Sequence, residues 1–274
     1  QSRGLGDVYK RQGVDSVLNV RVKECAPFEN VYTLALRGLH DRAMNASNDM
    51  GDRKDMLQEA LMAQRQMLID AIGKPGEEIP QAFTPYKEVL DVYDEGLELP
   101  DDVTIIWPDD NYGYMKRLSS PKEQKRSGRS GVYYHSSYLG KPHDHLWMNT
   151  VSPTLMYEEL RKAYDATADR IWLLNAGDIK SCEFAVDYFL TMAFDIDAFN
   201  FERAANYRTE WLCGMLGDQY RNEYQDVVNS FYKLAFARKP EFMGWGYQWT
   251  TDKHGRERNT DCLLYTSPSP RDCS

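Results

Sequence analysis

Asp41, Glu88, Asp109, Asp110 and Asp178 each stand just past the end of a short apolar run. A lone acid in such a place is ordinarily a cap or a turn former. Several around one mouth are the equipment for cleaving a glycosidic bond, which needs a protonated carboxyl for the leaving oxygen and a second carboxylate across the ring. Glu88, Asp41 and Asp109 are expected to be the acidic set, two of them forming the acid and base pair.

Other side chains gather around these acids. Arg37, ahead of Gly38, is placed either to clamp a carboxylate through its planar fork or to pair structurally with Asp41. Tyr133 and His135 share one face of an extended run while Tyr134 takes the other; an inward His135 next to Tyr138 can hydrogen-bond sugar hydroxyls, the alternative being a satisfied core histidine. Tyr112 offers a ring for stacking on a sugar, whereas Trp107 lies inside its run and is expected in the core. A metal-dependent chemistry is the competing reading. In His143-Asp144-His145 the two histidines fall on one side of an extended segment, and His40-Asp41 adds two more donors.

The elements that must position these groups alternate. Strands are expected at 31–38, 81–86, 103–110, 130–138 and 170–178, with helices at 52–73, 87–96, 153–166 and 182–195. Gly73 to Gly76 stops the first helix, and Ser152-Pro153 opens the third. Strand and helix in strict turn predict a parallel sheet, in either an open doubly wound form or a closed barrel. An open sheet concentrates its site at one switch point and usually carries a glycine-rich phosphate turn, and this sequence has none. Many strand ends each delivering a reactive side chain is how a β/α barrel builds its site. The fold class expected is therefore α/β: a partial TIM-type barrel over 13–195, its remaining strands upstream, followed by an incomplete α-helical domain over 196–261. There Trp211, Leu212, Met215 and Leu216, then Val227, Val228, Phe231, Leu234 and Ala235, recur at helical intervals as core or subunit interface.

Both ends read differently. Ser2–Gln12 can be encoded by a sequencing adapter and Cys262–Asp272 by the reverse complement of that adapter, so 1–12 and 262–274 are expected to be artefacts outside the fold. Setting them aside removes four cations and two anions and takes the net charge from −9 to about −11. Such an acidic chain argues against a nucleic-acid partner, and it requires local cations to hold any anionic substrate. Cys25, Cys182 and Cys213 remain scattered, without disulfide or zinc spacing. No apolar run is long enough to span a bilayer.

WPDDNYGYMKRL (107–118), the segment RSGRSGVYYHSSYLGKPHDHLWMN (126–149) and SPTLMYEELRKAYD (152–165) together resemble glycoside hydrolase family 115, the xylan α-1,2-glucuronidases. The resemblance covers roughly 31–249. It implies release of glucuronic acid or its 4-O-methyl ether from xylan, with inversion and without cofactor or metal, by a secreted or periplasmic homodimer. By motif it carries over Arg37 and Asp41 from RG-x-x-D, Tyr86 and Glu88 from PYKE, and Asp109 and Asn111 from WPDDN. Tyr133, His135 and Tyr138 come from YYHSSY and Asn175 from LLN. Glu88, Asp41 and Asp109 are then catalytic and the others substrate-binding. In that pattern only His143-Asp144 is regular, which weakens a ligand role for His145. Arg129 departs from the pattern, standing where a small residue, glycine, is expected.

Two alternatives stand beside this. One is a barrel metallohydrolase using His40, Asp41, His135, His143 and Asp109; the other is a catalytically dead glycan-binding barrel, against which Glu88 and Asp109 argue. With the early strands missing, the chain alone is expected to be inactive.

Overall fold

The computed structural model describes residues 18–37, 49–138, 146–177, 179–240, 249–251 and 257–259. The strands β1 (Tyr32–Thr33), β2 (Gln81–Phe83), β3 (Thr104–Pro108), β4 (Ser130–His135) and β5 (Trp172–Asn175) form one sheet in the order β1-β2-β3-β4-β5. Tyr32 pairs with Gln81, Ala82 with Thr104, and Val132 with Trp172, all in parallel. A sheet that adds each new strand beside the last has no switch point, so the order matches part of a β/α barrel and not a doubly wound sheet.

The chain divides into two compact units. The first holds Gln1–Trp107, Ser119–Gly131 and Thr167–Ile171. Helix α1 (Met50–Ile72) begins where Asp49 accepts from the Asp52 N–H at 3.0 Å and ends at Gly73, in the left-handed conformation at φ 74°. Its buried Leu57, Leu61 and Leu68 are spaced to fall on one face, and they share a core with Leu34, Phe83, Val89, Val92 and Val103. Val89 and Val92 come from the short helix α2 (Glu88–Asp94). Every residue of β3 is buried, and Trp107 is core as expected, its indole N–H donating to Ser119 Oγ at 2.8 Å. Gly128 and Gly131 of the RSGRSG run pass so close to the carbonyls of Val103 and Ile171 that a Cβ on either would collide with backbone.

The second unit holds Pro108–Leu118, Val132–Ala166 and Trp172–Ser274. Helix α3 (Pro153–Asp165) starts as its sequence foretells, with Ser152 Oγ accepting from the Leu155 N–H at 3.2 Å and proline in the first turn. Helix α4 (Glu183–Phe194) buries Phe184, Tyr188, Phe189 and Met192, and the Tyr188 hydroxyl donates to the Pro153 carbonyl at 2.8 Å. Tyr134 and Trp172 pack on Phe189 at 6.3 and 5.6 Å between ring centroids.

Helices α5 (Phe201–Leu216) and α6 (Arg221–Ala237) follow. Arg208 joins them, its guanidinium 5.2 Å from the Phe184 ring and 5.0 Å from the Phe231 ring while it donates to Tyr232 Oη at 2.7 Å. The stripes expected here divide: Val228 and Ala235 are buried, whereas Met215, Leu216, Val227 and Leu234 are exposed. The antiparallel pair β6 (Trp249–Thr251) and β7 (Glu257–Asn259) falls in a stretch whose sequence carries no clear strand signal.

Candidate active site

In the first unit, the chain leaves β2 through Thr84 and Pro85 and turns at Tyr86-Lys87-Glu88 into α2. Glu88 is the first residue of that helix, where the N-terminal dipole favours a carboxylate. Arg37, just past β1, closes a fork on it: Nε donates to Oε1 and a terminal nitrogen to Oε2, both at 3.2 Å. The two side chains are 20% and 22% exposed, so the pair is reachable from solvent. The same guanidinium lies 5.5 Å from the Tyr86 ring centroid, and Lys87 Nζ lies 5.1 Å from it. Arg37 is therefore engaged with Glu88, a partner that sequence spacing did not offer. A charge-assisted fork of this kind fixes the orientation of the Glu88 carboxylate.

In the second unit, β3 runs out at Pro108 into a tight loop shaped by its two acids. Asp110 accepts from the N–H groups of Tyr112 at 2.8 Å and Tyr114 at 3.1 Å, the turn-forming part of an aspartate at such a place. Asp109 looks the other way. Its side chain is 0% exposed, and its Oδ1 lies 2.6 Å from His135 Nδ1 and accepts from the Asn111 N–H at 3.0 Å. Its Oδ2 accepts from the His135 backbone N–H at 3.0 Å. Three N–H groups thus converge on one buried carboxylate, and Asn111 takes a left-handed φ of 75° to supply its share.

His135, at the end of β4, is 1% exposed and packed between rings: Tyr133 at 4.6 Å and Tyr138 edge-on at 5.5 Å. Tyr138 in turn meets Tyr112 at 6.1 Å. Asn175, at the end of β5, donates to Tyr133 Oη at 2.9 Å. With Asp109 Oδ1 as the acceptor in this contact, the hydrogen bond comes from Nδ1–H, the tautomer that carries its lone pair on Nε2. Across the strand, Tyr134 donates to the Gly113 carbonyl at 2.9 Å and so ties the loop of Asn111 to β4. Burial, then the charge of Asp109, pushes the Tyr134 hydroxyl well above the usual tyrosine range.

Of the residues singled out from sequence, Arg37, Tyr86 and Glu88 come together in the first unit. Asp109, Asn111, Tyr133, His135, Tyr138 and Asn175 come together in the second. His40, Asp41, His143, His145 and Asp178 lie outside the described residues. Among the described residues no three His, Cys, Asp or Glu side chains are grouped to hold a metal ion, and no helix is long and apolar enough to cross a membrane. Sequence reasoning passed over Lys87, although it stands between two residues it had chosen.

A parallel α/β sheet that adds its strands in order, with carboxylates, an arginine and tyrosines at the strand ends, is consistent with part of a β/α barrel that carries its site at the strand ends. The chain belongs to glycosyl hydrolase family 115, whose family model matches residues 8–242. Among solved structures it is similar to BtGH115A, described as a novel family GH115 4-O-methyl-α-glucuronidase with specificity for decorated arabinogalactans. Identity is 42% and the TM-score 0.81 over 86% of this chain. The chain spans 31% of that protein's length. No curated protein matches it.

Proposed function

We propose that the protein to which this chain belongs is an inverting glycosidase that releases glucuronic acid, or its 4-O-methyl ether, α-1,2-linked to xylose in glucuronoxylan. The observation that carries this is the Arg37–Glu88 fork beside Tyr86 in a chain of family 115. Glu88 and Asp41 are the acid and base pair. Asp109 acts through His135, because its carboxylate is enclosed and both its oxygens are occupied. Tyr133, Tyr138, Asn111 and Asn175 bind sugar hydroxyls and ring faces. No cofactor takes part.

The isolated chain is inactive, since the remaining strands of a barrel would supply further parts of the site. The whole protein is a homodimer, a reading supported by exposed apolar side chains on the later helices such as Phe194 and Phe236, 94% and 78% exposed. A polymeric substrate places it outside the cytoplasm, secreted or periplasmic. The description of the similar structure favours a second polymer, a decorated arabinogalactan, carrying the same terminal uronic acid.

The deciding experiment assays the whole gene product for uronic acid released from glucuronoxylan and from glucuronate-decorated arabinogalactan, with and without chelator, beside Glu88→Ala and Asp41→Ala. Release that survives chelation and collapses in both variants, with the β anomer appearing first by NMR, supports the proposal. Release abolished by chelator transfers the chemistry to the histidine cluster. No release from either polymer removes the glycosidase reading.

A further inference from the structure

The Tyr86 carbonyl accepts the Val89 N–H at 3.1 Å, closing a four-residue turn whose first central residue, Lys87, has φ 53° and ψ −123°. Those angles are the first central position of a type II′ turn, where glycine is the ordinary occupant because a Cβ is crowded. A lysine there carries backbone strain that a glycine would not, and strain of this kind is retained where the side chain is put to use.

What the side chain brings is a positive charge at the strand end that also holds Glu88. Lys87 is exposed, and its ammonium lies 5.1 Å from the Tyr86 ring centroid. Arg37 is the other cation on that ring, and its fork is closed on both oxygens of Glu88. Turning Arg37 to a second carboxylate would take it from the first, and Lys87 is the second cation on the Tyr86 ring. In a chain of net charge −9, an anionic ligand depends on such a local cation. An ammonium on a flexible stem, with three rotatable donors, suits a carboxylate that swings on a sugar C5.

We propose that Lys87 recognises the carboxylate of the uronic acid and sets the preference for an acidic sugar over a neutral one. The proposal rests on the glycosidase reading. It is tested on the whole gene product with Lys87→Met, Lys87→Arg and Lys87→Gly. The substrates are a glucuronate-decorated xylo-oligosaccharide and the same compound with its uronic acid methyl-esterified. Removing one charge-assisted contact made equally to substrate and transition state raises KM and spares kcat. Lys87→Met is therefore expected to raise KM for the acid about 10- to 100-fold, to leave the ester unaffected, and to be largely rescued in Lys87→Arg. Lys87→Gly should share the KM defect while its Tm rises, because the turn is relieved. An acid-to-ester ratio of kcat/KM equal in wild type and Lys87→Met overturns the proposal. If wild type cleaves neither compound, the glycosidase reading fails by itself, and NMR titration with glucuronic acid decides Lys87: binding lost in Lys87→Met supports it, and equal or absent binding in both overturns it.

Discussion

His135 Nδ1 stands 2.6 Å from Asp109 Oδ1 with both side chains closed off from solvent, so that a strand-end histidine and the acid of the neighbouring strand end act as one group. Replacing Asp109 by Asn keeps the volume but presents an amide that can donate to the ring, and this frees His135 to take the other tautomer. The expected outcome is a fold retained by circular dichroism with kcat lowered about 100-fold, the scale of losing one oriented group. Asp109→Ala leaves three N–H groups facing a buried void and is expected to cost about 3–5 kcal/mol in urea unfolding.

Arg37 and Glu88 come apart differently because they are partly exposed. Glu88→Gln keeps hydrogen-bonding capacity but not the charge, and it should lower kcat about 10²- to 10⁴-fold with stability nearly unchanged. Arg37→Lys cannot reproduce the two-point fork, and it should lower kcat by about tenfold to a hundredfold. If Glu88 acts only as the structural partner of Arg37, the double variant will be no worse than either single one in stability and all three will retain kcat.

Arg129 sits at φ 52°, which explains why a glycine is expected there, and its guanidinium is held by Asp169 at 2.7 and 2.5 Å. The pair is substantially exposed and contributes about 0.2–1 kcal/mol, less than the left-handed backbone costs a residue with a Cβ. Arg129→Gly should therefore be more stable than Arg129→Ala by about 1 kcal/mol, read from paired urea midpoints.

Tyr134 and Tyr188 are buried phenols, raised above the ordinary value of 10.0 first of all by desolvation. Their contribution is fully present below the unfolded tyrosine value and is lost as pH rises from there through the folded-state value, because only the unfolded chain ionises in that window. Stability should fall above about pH 10 by roughly 1.4 kcal/mol per pH unit for each such tyrosine. Tyr134→Phe and Tyr188→Phe are expected to be less stable at neutral pH, having lost bonds to Gly113 and Pro153, but flatter in urea titrations between pH 9 and pH 11.

The sequence by itself determined the five strands of the parallel sheet, the helices between them and which residues stand at their ends. Ser152 ahead of Pro153, Gly73 after Ile72 and the unbroken apolar run ending in Trp107 act over a few residues, and caps and periodicity are written at that range. Partners were decided by the tertiary structure. Spacing offered Arg37 the acid four residues on, Asp41, which lies outside the described residues, and it could not offer Glu88, 51 positions away. Nor could it foretell that Asp109 would be sealed under His135 with both oxygens occupied. Such pairings depend on which strands lie side by side and in what register, and neither is encoded within the few residues over which a sequence pattern can be read.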